Sequence, residues 1–253
     1  MDRITSGSNR LVREVRELQK KRKARKEAGL FIAEGERLCR EIPSEAIERI
    51  FITDTYQGAL PEGGNDARLF RVPEKLMQEM SDTRTSQGIL CEVRMRPEQT
   101  LTGDFFLLLE DLQDPGNLGT IFRTAEAAGV SGIYMSRECV DIYSPKVVRS
   151  TMGALYRMPF RVVPDLRETA RDLRQQGVQV YAAHLKGTRK HYEYDYRLPT
   201  AFMIGNEGNG LTEALAAEAD GFLRIPMKGQ VESLNAAIAA TVLMFEAARQ
   251  REQ

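Results

Sequence analysis

Cysteine, histidine and tryptophan are scarce: the 253 residues include three cysteines, two histidines and no tryptophan. Cys39, Cys91 and Cys139 are far apart and odd in number, which argues against a disulfide framework. No pair of them has the spacing of metal ligands. We therefore expect a protein of the reducing cytoplasm that has no metal site.

Long apolar segments and an excess of charge are also missing. The start of the chain lacks the apolar core of a signal peptide, and no apolar run approaches the roughly 18 residues that a membrane span needs. We expect no membrane segment. Lys+Arg and Asp+Glu balance at 36 each. Net charge therefore does not indicate a nucleic-acid binder, and any RNA-binding surface must arise from a local asymmetry of charge.

The composition that remains is that of a globular protein with room for two domains. Short strands and helices alternate through residues 1–95, which predicts a small α/β domain. Residues 96–103 lack periodicity and are interpreted as a linker. From residue 104 onward, continuous apolar runs alternate with helical patterns, as expected of a parallel sheet covered on both faces.

The most basic segment lies near the amino terminus. Leu11, Val15 and Leu18 recur at helical spacing, which predicts one helix over residues 9–28. Its far end carries a cluster of cations, among them Arg22, Lys23, Arg25 and Lys26. Such a cluster is either a solvated helix face or a patch that contacts phosphates, and the charge pattern alone does not decide between them.

The first of three unusual segments follows the apolar run Phe105-Phe106-Leu107-Leu108-Leu109 and reads D-P-G-N-L-G-T-I-F-R-T-A over residues 114–125. Ligands of parallel α/β sheets bind at the carboxyl ends of strands, where such loops gather. Asn117 is placed to cap the following helix, and Arg123 falls near its second turn. Taken alone, they are better explained as a cap and a surface charge than as functional residues.

The second segment joins an apolar strand to a loop with three glycines, I-G-N-E-G-N-G-L over residues 204–211. Glycine lets the backbone approach a ligand closely. The order is neither the Rossmann fingerprint nor a P-loop, so on its own this is an ordinary turn. The third segment, I-P-M-K-G-Q-V-E-S-L-N over residues 225–235, leads from a strand into the last helix, for which Ser233 is a good N-cap.

Together, and in this order, the three segments resemble the sequence motifs of the SpoU/TrmH methyltransferases of the SPOUT superfamily. Residues 31–37 and 146–154 are also similar to that family, so the resemblance covers nearly the whole chain. It implies an α/β fold: a C-terminal parallel-sheet SPOUT domain (104–253) with a deep trefoil knot, preceded by a small α/β ribosomal-protein-like RNA substrate-binding domain (1–95).

The resemblance further implies S-adenosyl-L-methionine as cofactor and methyl transfer to a ribose 2′-hydroxyl of structured RNA. By motif position, the cofactor-binding residues are Gly205, Ile225, Met227 and Leu234. The catalytic residues are Arg123, Asn117, Glu207, Ser233 and Asn235. Arg123 is the family's activating residue, and whether it acts as a base or stabilises alkoxide charge is left open, because arginine almost never deprotonates.

The implied partners are RNA and a second copy of the chain. The N-terminal domain favours 23S-type ribosomal RNA over tRNA, and the resemblance favours a phosphate-binding role for Arg22, Lys23, Arg25 and Lys26. A tRNA 2′-O-methyltransferase is the alternative within the family. A non-catalytic RNA-binding protein is the alternative outside it, but such a protein would be expected to lack Arg123 or the cofactor loop.

A base-carbon methyltransferase would need a nucleophilic cysteine with an activating base beside it. Cys139 precedes Val140-Asp141-Ile142 and has no such base in its sequence context. His184 and His191 lack a serine or cysteine partner motif. Neither cysteine nor histidine chemistry is therefore predicted.

Overall fold

The computed structural model describes residues 2–62 and 68–252. The chain forms two compact units, of which the first contains Met1–Pro97 and Asp141–Tyr156, and the second contains Glu98–Val140 and Arg157–Gln253. From the sequence, residues 141–156 were expected in the second domain. Their inclusion in the first unit has a packing reason: Val147, Val148 and Leu155 are buried, and the helix that carries the two valines lies against a strand of the first unit.

Secondary structure elements are numbered in chain order. The described strands are β1 (Asp2–Arg3), β2 (Leu30–Glu34), β3 (Ile47–Thr53), β4 (Arg68–Val72), β5 (Ile89–Arg94), β6 (Phe105–Leu109), β7 (Gly132–Ser136), β8 (Phe160–Val163), β9 (Gln179–Ala183), β10 (Arg189–Lys190), β11 (Thr200–Ile204) and β12 (Gly221–Arg224). The described α-helices are α1 (Arg10–Lys20), α2 (Arg22–Ala28), α3 (Glu36–Arg40), α4 (Glu74–Met80), α5 (Pro115–Ala127), α6 (Pro145–Thr151), α7 (Ala154–Arg157), α8 (Leu166–Gln175), α9 (Glu213–Ala216) and α10 (Ala236–Arg251).

The first unit is built on a five-stranded mixed sheet in the order β1-β4-β3-β5-β2. The β2–β5 and β3–β5 pairs are antiparallel, whereas β4 runs parallel to β3 and β1. Helices α1 and α4 cover one face through a core that includes Val12, Val15, Leu18, Met77 and Met80. The helical spacing of apolar residues in α1 therefore has its expected cause, a stripe that faces the sheet.

The helix predicted over residues 9–28 is two helices rather than one. Lys21 has φ −120° and ψ 117°, an extended conformation that ends α1 and begins α2. The break brings the side chain of Arg25 back to the end of α1, where it donates hydrogen bonds to the carbonyl oxygens of Leu18 and Gln19. These carbonyls lie in the last turn of α1, where the helix itself supplies no donor.

This packing contradicts the RNA-binding role predicted for Arg25. Only 4% of the residue is exposed. Its Nε and Nη2 donate to Oδ2 of Asp141 at 2.9 and 2.7 Å. A guanidinium that is buried and bonded in this way cannot contact a phosphate, so Arg25 is a structural residue of the first unit.

The second unit contains a seven-stranded parallel sheet in the order β10-β12-β9-β11-β6-β7-β8. Strand β6 lies between β11 and β7, and all five of its residues are buried. Helix α8 packs against β7 and β9, while α10 packs against β11 and α5. The continuous apolar sequence of β6 and β11 therefore reflects a parallel sheet covered by helices.

This strand order places the three motif segments side by side. Strands β6, β11 and β12 end at Leu109, Ile204 and Arg224, and each is followed by one of the segments singled out in the sequence. Because β12, β9, β11 and β6 are neighbours and parallel, their carboxyl ends meet at one edge of the sheet. In parallel sheets this edge is where ligands bind.

No helix among the described residues is long and apolar enough to cross a membrane. The three cysteines are buried and free. Within residues 2–62 and 68–252, no cluster of three or more histidine, cysteine, aspartate and glutamate side chains is placed to hold a metal ion.

Candidate active site at the carboxyl edge of the second sheet

The glycine-rich loop after β11 folds back on itself. The backbone groups of Asn206 and Gly210 pair in both directions, at 3.1 and 2.9 Å. A Cβ atom at Gly205 would lie 2.2 Å from the backbone of Gly210 and Leu211, which no side chain can do without displacing the loop. Gly210 has φ +69°, in the left-handed region. Both glycines are thus required by the shape of the loop.

The side chain of Asn206 holds this loop from within. Its Oδ1 accepts hydrogen bonds from the backbone N–H groups of Gly208 and Asn209, at 2.9 and 3.0 Å. Its Nδ2 donates to the carbonyl oxygen of Asp111 at 2.8 Å. The second motif is therefore fastened to the chain that follows β6. Asn206 was not among the predicted site residues, although it lies inside the motif.

A cavity of about 390 Å³ lies between this loop and the segment after β12. All four predicted cofactor-binding residues line it: Gly205, Ile225, Met227 and Leu234. Ser233 and Glu207 line it as well, and apolar wall is added by Leu211, Leu223 and Ala239. The volume falls in the range of small-molecule sites.

The wall that follows β9 was not predicted from the sequence. His184, Leu185 and Lys186 line the cavity, together with Arg224 at the end of β12. The position of these residues at strand ends was visible in the sequence. Their place in the cavity follows from β9 lying between β11 and β12. Strand order is not a local property of the sequence, so this position could not be predicted.

Glu207 is the centre of a hydrogen-bond network that joins the three motifs. Its carboxylate accepts from the backbone N–H groups of Gln113 and Asp114 and from Nδ2 of Asn117, each at 3.0 Å. Asn117 in turn accepts at Oδ1 from Nδ2 of Asn235 at 2.8 Å. The structure thus brings Asn117, Glu207 and Asn235 together, with much of their hydrogen-bonding capacity used in holding one another.

The network fixes the charge of Glu207. Partial burial opposes ionisation, but the hydrogen bonds from Asn117 and from the backbone of Gln113 and Asp114 outweigh it and lower the pKa of this carboxyl. These donors are neutral, so the carboxylate keeps its negative charge near neutral pH, and no cation among the residues that the structure describes forms an ion pair with it.

The start of α10 differs from the prediction. The N-cap is Asn235, whose Oδ1 accepts from the backbone N–H groups of Ala237 and Ile238, and the helix begins at Ala236. Ser233 lies before the helix and lines the cavity instead. Serine and asparagine are equally good caps, so local preference could not choose between them.

The start of α5 differs in the same way. Its N-cap is Asp114, which accepts from the N–H group of Asn117 at 2.8 Å and is followed by a proline at the first helical position. Asn117 is therefore inside the helix, and its amide is free to reach Glu207 and Asn235. The pair Asp114-Pro115 was a recognisable signal for this start.

Arg123 is exposed on α5 and does not line the cavity. Within the part of the chain that the structure describes, its side chain has no hydrogen bond or ion pair. The remaining basic residues of the prediction, Arg22, Lys23 and Lys26, are exposed on α2 in the first unit. Lys23 makes one ion pair, 3.7 Å from Glu27, in which both side chains are largely solvated.

Both parts of the chain match known protein families. Residues 104–245 match the SpoU rRNA Methylase family, and residues 9–91 match the MRM3-like substrate binding domain. An uncharacterized tRNA/rRNA methyltransferase of Synechocystis is 34% identical, over 98% of this chain and 94% of its own. The 23S rRNA (guanosine(2553)-2′-O)-methyltransferase RlmP of Bacillus subtilis is 31% identical, over 97% and 98%.

A solved structure agrees with this match over the same length. The AdoMet-bound rRNA methyltransferase from Sinorhizobium meliloti superposes with a TM-score of 0.85 at 32% identity, over 98% of this chain and 97% of that one. The family predicted from the three motifs is thus confirmed: the chain belongs to the SpoU rRNA methylase family of RNA 2′-O-ribose methyltransferases.

Proposed function

We propose that this chain transfers a methyl group from S-adenosylmethionine to a ribose 2′-hydroxyl of 23S-type ribosomal RNA. The observation that carries the proposal is the cavity between the loops after β11 and β12, bordered by the Glu207 network. The choice of ribosomal RNA rests on two points: relatives of nearly equal length are named for 23S rRNA, and residues 9–91 match a substrate-binding domain.

The residues present fit the cofactor. The glycine-rich loop lines the cavity with Gly205, Gly208 and Gly210, and apolar surface for an adenosine ring is offered by Leu211, Leu223, Ile225 and Leu234. The cofactor would supply a methyl group already activated on a sulfonium. The chain then has to bind it, orient the ribose and stabilise the charge of the attacking oxygen, because orientation alone can remove much of the barrier.

Arg123 is assigned to the attacking hydroxyl. An arginine remains protonated, so it cannot accept the hydroxyl proton, which would leave to water as the methyl group passed from the sulfonium to the oxygen. Arg123 lowers the barrier by holding the hydroxyl oxygen and stabilising its developing negative charge. Ser233 lines the cavity and its hydroxyl has no hydrogen-bond partner among the described residues, so it is available to a ligand. Asn117, Glu207 and Asn235 act by keeping the three loops in register and serve as positioning residues.

The second copy of the chain is part of the proposal. Ile238, Val242 and Phe245 recur at helical spacing on the outer side of α10, and Ile238 and Phe245 are about half exposed. An apolar stripe on a helix that already packs against α5 indicates a dimer interface. Since Arg123 lies on α5 away from the cavity of its own chain, we assign it to the cavity of the partner subunit.

Mixing two inactive variants tests that assignment. Arg123→Ala removes the arginine, and Gly205→Ala disrupts the cofactor loop. If Arg123 acts on the partner's cavity, a mixed dimer contains one site with an intact arginine and an intact loop, and activity returns on mixing. If it acts within its own chain, both sites of the mixed dimer are defective and the mixture stays inactive.

The activity itself is tested by a transfer assay with radiolabelled S-adenosylmethionine and unmodified pools of ribosomal RNA and tRNA. Label in a 2′-O-methylribose of ribosomal RNA is the expected result. Label in tRNA alone would make tRNA the substrate instead of ribosomal RNA; the name of a TrmH family relative from Bacillus subtilis includes both. A protein that binds RNA but no S-adenosylmethionine would be a non-catalytic RNA-binding member of the fold.

A further inference from the structure

The outer edge of the second sheet carries a cluster of aromatic and basic side chains that the proposed reaction does not use. It is formed by the end of β9, by β10 with the short helix His191–Glu193 that follows it, and by β12. Its members are His184, Lys190, Tyr192, Phe222 and Arg224. We call this set the edge patch.

These side chains share one face of the sheet. On β12, Phe222 and Arg224 alternate with the buried Leu223, so they point to the same side. Strand β10 pairs with β12 in a register that places Lys190 opposite Arg224, and residues opposite each other have their side chains on the same face. The register therefore sets two cations beside an exposed aromatic ring.

The aromatic members are held in fixed positions. His184 stacks on Phe222 with ring centroids 5.2 Å apart and an angle of 23° between the rings. The backbone N–H of Lys186 donates to Nδ1 of His184 at 3.0 Å, which orients the imidazole. The Nζ atom of Lys190 lies 5.6 Å from the centre of the Tyr192 ring. Despite these contacts, 48% of Tyr192 and 36% of Phe222 are exposed.

The segment that carries the patch is firmly built, so the exposure of its rings does not come from a loose loop. Tyr196 is fully buried, and its backbone N–H donates to Gln250 of α10 at 2.8 Å. Gln250 in turn donates to the carbonyl oxygen of Tyr194 at 3.1 Å. The hydroxyl of Tyr194 donates to the carbonyl oxygen of Phe222 at 3.0 Å. Rigid, exposed aromatic rings lose little entropy when they bind a flat ligand.

The charges on and beside the patch favour an anionic occupant. Among the residues that the structure describes, the side chain of Arg224 has no hydrogen bond or ion pair. Lys190 lies 3.8 Å from Glu193, and the neighbouring Lys186 lies 3.9 Å from Glu213; both are long contacts between solvated side chains. Such pairs contribute little, so their cations can exchange a carboxylate for a phosphate at small cost.

The patch is continuous with the cofactor cavity, because His184 and Arg224 belong to both. A ligand on the patch therefore lies beside whatever enters the active site. Aromatic faces next to cations are the arrangement with which proteins bind unpaired nucleotides, the rings stacking on bases and the cations contacting phosphates. Paired bases offer no free face to such rings.

We propose that the edge patch binds an unpaired nucleotide of the RNA substrate next to the nucleotide that is methylated. The proposal rests on the proposed function and narrows its substrate class to a ribose in a single-stranded loop or bulge. Tyr192 and Phe222 stack on the base of the neighbouring nucleotide, and Lys190 and Arg224 hold its phosphates.

The test compares the wild-type chain with Tyr192→Ala, Phe222→Ala and the double variant. The probes are a short fluorescein-labelled single-stranded oligouridylate and an RNA duplex of equal length. Leu198→Ala is the matched control, since Leu198 is exposed to the same extent as Tyr192 and lies outside the patch. We expect about tenfold weaker binding of the single strand for each loss of a stacking ring, with duplex binding unchanged.

Two further measurements separate stacking from a structural effect. Tyr192→Phe keeps the ring and should bind like the wild type. A single strand that carries 2-aminopurine should lose fluorescence on binding the wild type and lose less on binding the double variant. Equal affinity of the double variant and the wild type for the single strand would overturn the proposal, as would an equal loss of duplex binding.

The methyl-transfer assay distinguishes this proposal from the proposed function. If ribosomal RNA is methylated by the wild type, Tyr192→Ala, whose ring neither lines the cofactor cavity nor stacks on His184, should raise the KM for RNA and leave kcat and cofactor binding unchanged. An unchanged KM together with unchanged single-strand binding would show that the edge patch does not bind the RNA, although the methyl-transfer activity would still be established. If the wild type methylates no RNA, the activity fails, and the single-strand measurements still decide whether the patch binds RNA.

Discussion

In the first unit, Arg25 and Arg49 are largely buried and bonded to carboxylates, whereas Arg123 and Arg224 of the second unit are exposed. Within the described residues, neither of the exposed pair has a hydrogen bond or an ion pair of its side chain. Breaking a buried arginine–carboxylate pair leaves an uncompensated charge in the interior, so such an arginine is needed for the stability of the fold. An exposed arginine without a partner is available to a ligand. In these four residues, the same side chain is bonded within the fold in the first unit and left open to a ligand in the second.

The largest effect on activity is expected from one of the exposed arginines, Arg123. Arg123→Ala should lower methyl transfer about a thousandfold or more, which is the scale of removing a group that stabilises charge in a transition state. The free energy of unfolding should not change, because no partner is lost. Turnover under saturating RNA and urea unfolding are measured on the same preparation. Arg161→Ala on β8 is the control, since Arg161 is also exposed and its side chain has no hydrogen bond or ion pair among the described residues. Near-normal turnover would remove Arg123 from the mechanism.

For the buried arginine Arg25, we expect a loss of stability. Arg25→Ala should lower the free energy of unfolding by about 3 kcal/mol, because it leaves the carboxylate of Asp141 and two carbonyl oxygens of α1 without their donor. The control is Lys26→Ala on the next, exposed position of the same helix, which should change stability little. Equal stability of the two variants would mean that the Asp141 pair is not maintained in solution.

Glu92 extends the comparison to pH. Burial is the main influence and, against the opposing attraction of Arg49, it raises the pKa of this carboxyl to about 7. Its Oε1 has no hydrogen-bond partner within residues 2–62 and 68–252. The proton is thus held more tightly in the folded state than in the unfolded one. The stability that this provides is present below the unfolded pKa, near 4.5, and is lost as pH rises through 7.

Glu92→Gln removes that dependence. Relative to the variant, the wild type should lose up to about 3 kcal/mol of stability between pH 4.5 and 8, the amount that a raised pKa of this size implies. Urea unfolding of both proteins at several pH values across this range checks the expectation, and the difference between the two curves isolates the contribution of Glu92. Two parallel curves would show that folding does not shift the pKa of Glu92.

These contrasts also mark what the sequence could predict. The buried strands β6 and β11 were predicted from their apolar runs, and the four cofactor-binding positions from the motifs lie together in one cavity. Their roles stay predictions, as does the trefoil knot. These features could be predicted because a buried strand is a local run of apolar residues and each motif is contiguous in the sequence.

What could not be predicted depends on contacts between distant residues. Nothing in the sequence of α2 distinguishes Arg25 from Lys23 and Lys26, because its burial follows from the break at Lys21 and from Asp141, which is 116 positions away. The inclusion of residues 141–156 in the first unit is of the same kind. Deleting residues 1–97 would therefore strip the packing partners from this segment, so a truncation is a poor test of the function of the first unit.

Glu207 should respond differently from Glu92, because burial opposes its ionisation but is outweighed by the hydrogen bonds of its neutral donors, which lower its pKa. Glu207→Gln replaces one acceptor oxygen by an amide that faces N–H donors, which loosens the register of the three motif loops. We expect a loss of turnover of about tenfold or more. The matched control is Glu232→Gln, which changes a carboxylate that lines the same cavity and has no side-chain hydrogen bond within the described part of the chain. Similar losses for both variants would point to the charge of the cavity rather than to the network.

The smallest effect concerns the exposed cations of α2, the neighbours of Arg25. Replacing Lys23 and Lys26 by glutamate should weaken RNA binding a few-fold and reduce the salt dependence of the affinity by about one unit of slope for each phosphate that is no longer neutralised. Stability should be unchanged, in contrast to Arg25→Ala. Lys75→Glu on α4, an exposed lysine of the same unit, is the control for a change of net charge. Binding of ribosomal RNA is measured over a series of salt concentrations. A lower slope for the double variant alone would assign phosphates to α2, and equal slopes for both variants would reduce α2 to a solvated face.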